Sequence, residues 1–293
     1  MIKALAYQIE QWENAELCGV IVGTGAGKAF CAGGDVSSVI ELSTSDATRP
    51  EAVDFFRREY GLDYFLANLS KPYVAIMDWD NLYVSSFGGG FGLVAPAPFR
   101  VATENCLISM PETKIGLFPD VGASYYLSRL DGQLGTYLAL TGTPLAGRAA
   151  FEHGLATHYI PSARVPMLLE SLAALEKPTY AQVNEAIEDL YHDKEPTDPI
   201  PPLSGPIRIA LDTAFSQDTV EDIVATLNTF TTGDQGSDQR SPTSLKLALV
   251  TIRKGKLLDL LECFKMELGI ATAFCVRSLA DSPVYDQLTA PLA

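Results

Sequence analysis

Glu112 and Asp120 stand eight residues apart in the stretch Met110-Pro111-Glu112-Thr113-Lys114-Ile115-Gly116-Leu117-Phe118-Pro119-Asp120. Carboxylates in such a pair can attack an electrophile or move a proton, provided their surroundings are dry enough to raise their pKa values toward neutrality. Ile115, Leu117, Phe118 and Val121 are the neighbours expected to supply that dryness. Two glycine-rich loops come earlier, Phe30-Cys31-Ala32-Gly33-Gly34-Asp35 and Phe87-Gly88-Gly89-Gly90-Phe91-Gly92. Each follows a run that reads as a buried strand, and each can offer a bare backbone N–H. Two such donors aimed at one carbonyl oxygen would stabilise an oxyanion, each typically worth ~3–4 kcal/mol in the transition state. Together these parts suit acyl-thioester chemistry that uses no metal, no cofactor and no nucleophilic Ser or Cys. Each part also has an ordinary reading. Glycines serve turns and close packing, Glu112 beside a proline can be a surface carboxylate, and Asp120 can cap a following helix.

The stretch Gly23-Thr24-Gly25-Ala26-Gly27-Lys28-Ala29 completes neither phosphate-binding pattern. A Walker loop needs glycine where Val22 stands and Ser or Thr where Ala29 stands, and G-x-G-x-x-G needs glycine at Lys28. It reads as a turn that closes a strand.

Composition narrows the classes. The 293 residues suggest one large or two modest domains, and 47% hydrophobic residues are enough for a full core. No apolar run reaches the ~20 residues of a membrane span. A formal charge of −15 disfavours direct nucleic-acid binding, which depends on clustered Lys and Arg. Any phosphate-bearing ligand would need a local patch of Lys, Arg and backbone N–H. Cys18, Cys31, Cys106, Cys263 and Cys275 are odd in number and scattered, which reads as buried thiols in a reducing compartment. The three histidines lack ligand spacing with them, so no zinc site is expected.

Periodicity supplies the elements that must position these residues. Ile2, Leu5, Ile9 and Trp12 predict an amphipathic helix at the start. Leu17–Val22 and Pro72–Met77 read as buried strands, Asp35–Leu42 and Phe55–Asn68 as helices, and 99–102 and 106–109 as short strands. From Pro119 on, helices are expected over 125–140, 146–153, 165–175, 180–191, 219–231 and 244–276, with a proline-rich linker at 193–202. Repeated strand–loop–helix units followed by helices predict an α/β fold with a helical C-terminal region. The expected division is 1–192 and 203–293.

The combination of Lys28-Ala29-Phe30-Cys31-Ala32-Gly33-Gly34-Asp35, Gly88-Gly89-Gly90-Phe91-Gly92-Leu93, Met110-Pro111-Glu112-Thr113 and Gly116-Leu117-Phe118-Pro119-Asp120 resembles the crotonase (enoyl-CoA hydratase/isomerase) superfamily. Within it the pattern is most similar to the 3-hydroxyisobutyryl-CoA hydrolases of valine breakdown. Phe55-Phe56-Arg57-Arg58-Glu59-Tyr60, Leu140-Thr141-Gly142, Gly154-Leu155-Ala156-Thr157-His158 and Ser241-Pro242-Thr243-Ser244-Leu245-Lys246 extend the resemblance over roughly residues 1–276. It implies the crotonase ββα spiral and an acyl-CoA substrate whose coenzyme A is part of the substrate, with no separate cofactor. It also implies a mitochondrial setting and self-association through the C-terminal helices. The N–H groups of Gly34 and Gly89 would form the oxyanion hole. Glu112 would be the main catalytic carboxylate, as nucleophile or as base, Asp120 would assist with a proton or the substrate hydroxyl, and Glu59 would contact the acyl group.

Hydratases carry a catalytic Glu where this chain has Gly92, and Gly where it has Asp120, so the resemblance favours hydrolysis over hydration. Three stretches depart from the family. Its opening strand pair has no counterpart before the Ile2 helix, so the start is expected to be cut short. The segment Asp78–Phe87 is about five residues longer than usual, and Arg277–Ala293 does not follow the family's ending. These departures keep a second reading open, that of a crotonase-fold structural protein such as the relative on the fungal mitochondrial ribosome. Enoyl-CoA hydratase or isomerase chemistry is the third.

Overall fold

A computed structural model describes residues 1–25, 30–31, 33–78, 86–191, 202–230 and 240–276. In chain order the elements are α1 (Ile2–Asn14), β1 (Ile21–Thr24), α2 (Val36–Ser43), α3 (Arg49–Ala67), β2 (Tyr73–Met77), β3 (Ser86–Phe87), α4 (Gly89–Val94), β4 (Phe99–Ala102) and β5 (Leu107–Ser109). After a 3₁₀ turn at Glu112–Lys114 come α5 (Ala123–Tyr126), α6 (Leu134–Thr141), β6 (Leu145–Ala146), α7 (Gly147–Glu152), β7 (His158–Tyr159), α8 (Val165–Ala173) and α9 (Tyr180–Glu188). Helices α10 (Gly205–Phe215), α11 (Val220–Phe230), α12 (Pro242–Gly255) and α13 (Leu260–Cys275) follow. The chain folds into two compact units that alternate along the sequence. The first comprises Met1–Gly33, Gly61–Ser109 and Pro144–Pro201, the second Gly34–Tyr60, Met110–Thr143 and Pro202–Ala293.

The first unit is built on a parallel sheet in the order β1-β2-β4-β7. Every residue of β2 is buried, which explains why Tyr73–Met77 is continuously apolar rather than alternating. Val74, Ile76 and Val101 pack against Leu168 of α8 and Val183 and Ile187 of α9. Thr179 starts α9 with a capping box, its side chain accepting from Gln182 N–H while the Gln182 side chain accepts from Thr179 N–H. A second sheet pairs β3 with β5 in parallel and β5 with β6 antiparallel.

The second unit is mainly helical. Asp35 caps α2 by accepting from Ser38 N–H at 3.0 Å, and Ser241 and Asp259 cap α12 and α13. Helix α12 packs on α5 and α6. Glycine is required where backbones touch: a Cβ on Gly135 would lie 1.8 Å from Leu127 O, and one on Gly255 2.0 Å from Ser124 O.

Several boundaries differ from the sequence expectation for identifiable reasons. The first strand begins at Ile21 because its ladder starts with the Ile21–Tyr73 rung, and it runs on through Gly23, leaving Leu17 fully exposed. The helix expected over 125–140 breaks where Leu130 is extended and Gly132 takes φ +55°. There Arg208 donates to Asp131, and Gln133 N–H donates to Asp212 at 2.7 Å. The stretch 244–276 is two helices, interrupted just before the Asp259 cap. Helix α3 starts at Arg49, ahead of Phe55, and α10 was not foreseen. The linker residues 193–201, the lengthened segment over 79–85 and the tail 277–293 lie outside the described residues. Among the described residues, no helix is long and apolar enough to cross a membrane.

Candidate active site

Pro111 opens the 3₁₀ turn that carries Glu112, and Gly116, with φ +82°, lets the chain fold back so that Leu117 N–H reaches Glu112 O at 3.0 Å. The turn is fastened on several sides. Thr113 Oγ1 donates to Leu140 O at 3.1 Å, Ser241 N–H donates to Thr113 O at 3.2 Å, and Lys114 Nζ donates to Gly142 O at 3.3 Å. Glu112 is therefore fixed inward at 5% exposure, not on the surface. Its Oε2 is buried and has no hydrogen-bond partner among the described residues. Burial, then the charges of Asp120 and Glu59, hold its carboxyl well above the usual carboxylate range.

Asp120 is also buried, and its side chain does not cap a helix. Its Oδ2 accepts the hydroxyl of Tyr60 at 2.7 Å, while Gly122 occupies the cap position of α5. Burial pushes Asp120 up to about 6, against the Tyr60 hydrogen bond, which lowers it. Glu59, next to Tyr60 on α3, is half-buried and is pushed up to about 8 by burial and by the charge of Asp120. Asp120 thus ionises before Glu59 as pH rises, while burial favours the protonated form of Glu112. The cluster stores protons in an apolar setting: Phe118 and Val121 are fully buried, although Ile115 turns out 61% exposed and adds nothing to it.

The sequence missed two members of this cluster. Tyr60 is buried between Phe56 and Phe264, with ring centroids 5.9 and 5.8 Å away. Glu267 is fully buried on α13, and burial pushes its carboxyl up to about 8. A signal for Glu267 did exist, because it falls on the same helical stripe as Cys263, Phe264, Ile270 and Ala271. An acid in such a stripe needs partners.

Of the residues singled out in the sequence, the structure brings together Glu59, Glu112 and Asp120, all in the second unit. Gly34 belongs to this unit too, directly before the Asp35 cap of α2, on the exposed surface. A Cβ there would lie 2.6 Å from the Phe55 ring. Gly89 belongs to the first unit and is the first residue of α4, where a helix leaves its N–H groups without helical partners. Within the first unit the two glycine loops touch, since a Cβ on Gly90 would lie 2.3 Å from Cys31 O. Among the described residues, no cluster of His, Cys, Asp and Glu is arranged to hold a metal ion.

A sequence model described as enoyl-CoA hydratase/isomerase matches residues 1–283. The chain is 39% identical over 299 residues to the small ribosomal subunit protein mS47 of Neurospora crassa, covering 94% of this chain and 57% of that protein's length. It is 38% identical over 289 residues to the mitochondrial 3-hydroxyisobutyryl-CoA hydrolase of Homo sapiens, covering 94% of this chain and 71% of that protein. Among solved structures, a carnitinyl-CoA dehydratase from Mycobacterium thermoresistibile superposes with a TM-score of 0.82 at 32% identity, covering 99% of this chain and 82% of that one. An enoyl-CoA hydratase from Rhodobacter sphaeroides gives 0.77 at 26%, covering 94% and 77%. With its acid-bearing Pro-Glu turn, its glycine loops and its parallel sheet, the chain belongs to the enoyl-CoA hydratase/isomerase family, the crotonases.

Proposed function

We propose that the protein hydrolyses the thioester of a short branched β-hydroxyacyl-CoA, 3-hydroxyisobutyryl-CoA, to the free acid and coenzyme A in the mitochondrion. The observation that carries this reading is the buried Oε2 of Glu112, without a hydrogen-bond partner among the described residues, beside the Asp120–Tyr60 hydrogen bond. In this reading Glu59 contacts the acyl group, and the family resemblance assigns the oxyanion-hole N–H groups to Gly34 and Gly89. Burial favours the protonated form of Glu112, so in this reading its proton leaves before it acts, and Asp120 is the neighbouring acceptor. Glu112 then either attacks the carbonyl carbon or takes a proton from an attacking water. The C–S bond breaks, the carbonyl carbon gains the oxygen of water, and the departing thiolate takes up a proton. Gly92 at the position of the hydratases' second carboxylate supports hydrolysis over addition of water to a double bond.

The test follows free thiol from 3-hydroxyisobutyryl-CoA with the purified chain. Thiol release supports the proposal; crotonyl-CoA hydration without it would move the chain to the hydratases. The likeness to mS47 favours a second reading, a structural component of the mitochondrial ribosome. Co-sedimentation with ribosomes without thiol release would establish that one instead. Gly90→Ala supplies a further check. Its Cβ meets a carbonyl oxygen rather than a yielding side chain, so the loop next to Gly89 has to shift. A shift of ~1 Å is expected to lower kcat/KM about 100-fold, measured by the same assay.

A further inference from the structure

Glu267 has no part in the chemistry above, yet both of its oxygens are engaged. Its Oε2 accepts Gly122 N–H at 2.7 Å, and its Oε1 accepts both Ser124 N–H at 3.0 Å and the Ser124 hydroxyl at 2.6 Å. The backbone it grips is unusual. Val121, a β-branched residue, sits at φ +52°, followed by Gly122 at φ +83°. Left-handed geometry at valine persists only where the surroundings impose it. This left-handed pair directly follows Asp120, whose carbonyl accepts Ala123 N–H at 2.9 Å. Gly255 of α12 presses on the same turn, against Ser124 O. Three donors converging on two acceptor oxygens call for a carboxyl group, because an amide would turn an NH₂ toward one of the backbone N–H groups.

We infer that Glu267 is a positioning residue: by clamping the left-handed Val121–Gly122 turn it holds the Asp120 carboxylate in its dry site on the Tyr60 hydroxyl. The inference rests on the reading of Asp120 as the ionised acid beside Glu112. The titratable groups that face Glu267 are Asp120 from its turn, Tyr60 from α3 and Cys263 one turn earlier on α13.

The experiment compares wild type, Glu267→Gln and Ser124→Ala by kcat/KM for thiol release against pH, by thermal midpoint, and by carboxyl-¹³C NMR titration of Asp120, whose signal is assigned with Asp120→Asn. Releasing the turn admits water, so Asp120 is expected to titrate ~1 unit lower in Glu267→Gln, with the acidic limb of kcat/KM moving the same way. kcat should fall about 10- to 100-fold at little change in KM, because an acid is misplaced rather than substrate binding lost. Ser124→Ala removes one donor of three and should move both readouts in the same direction by less. It keeps the test alive if Glu267→Gln does not fold. An Asp120 titration and pH limb unchanged in a folded variant, with only the thermal midpoint lowered, overturns the inference. If wild type releases no thiol, the hydrolase reading fails alone, and the NMR titration still decides the role of Glu267.

Discussion

Replacing Glu112 with glutamine should cut thiol release about 1000-fold while the chain stays folded. Proton transfer by a positioned carboxylate is worth 10²–10⁴-fold, and loss of a nucleophile at least as much. Glutamine keeps the volume and the carbonyl oxygen but can neither ionise nor attack. The structural side of the change is mild, because among the described residues Oε2 has no partner to lose and the turn is held by Thr113, Lys114 and Gly142. A far-UV spectrum and a thermal midpoint close to wild type should therefore accompany the loss of activity. Thiol release within threefold of wild type would remove Glu112 from the chemistry.

The second large effect is on stability against pH. Glu59, Glu112, Asp120 and Glu267 all hold protons more tightly folded than unfolded, burial being the leading cause for each. An acid with a raised folded pKa contributes its full stability below the unfolded value and loses it as pH rises through the folded one. The window runs from the ordinary values of 3.8 and 4.5 up to about 6 for Asp120 and about 8 for Glu59 and Glu267. Each proton held only by the folded state lowers stability by about 1.4 kcal/mol per pH unit inside that window. The protein should therefore unfold in less urea at pH 8 than at pH 5.5, by several kcal/mol. The chain's charge of −15 adds a repulsion with the same sign, but salt screens surface charge far better than buried groups. The fall should persist in ~0.5 M salt, where the Debye length is only a few ångströms, and should flatten in Glu267→Gln. A urea midpoint that rises between pH 5.5 and 8 would refute a proton-holding cluster.

Local backbone demands made part of this site legible in the sequence. A proline before Glu112, a glycine four residues after it and paired glycines behind a buried strand are choices a chain makes where turns are tight, and they show at short range. The buried strand β2 was equally plain, because a parallel strand covered on both faces has no polar alternation to confuse it. Tyr60 was not legible as a site residue because its partner Asp120 is distant in sequence, and the apolar stripe of α13 flagged a buried Glu267 without showing its partners at Gly122 and Ser124. Distance also hid the break before α6, where Asp212 and Arg208 take over the Asp131-Gly132 turn, although an Asp-Gly pair was itself a turn signal. The first strand was misplaced for a related reason: its ends follow the rungs that Tyr73 and its neighbours offer, not its own hydrophobicity.

The turns carrying Glu112 and Asp120 are both fastened to chain that is made more than a hundred residues later, through Ser241 N–H on Thr113 O and Glu267 on Gly122 and Ser124. Synthesis runs from the N-terminus and domains fold as they emerge. A nascent chain can therefore complete the first unit's parallel sheet well before either acid is locked in place. Competence arrives only with α12 and α13, so a stop inside α13 would leave a sheet that folds and a centre that never forms.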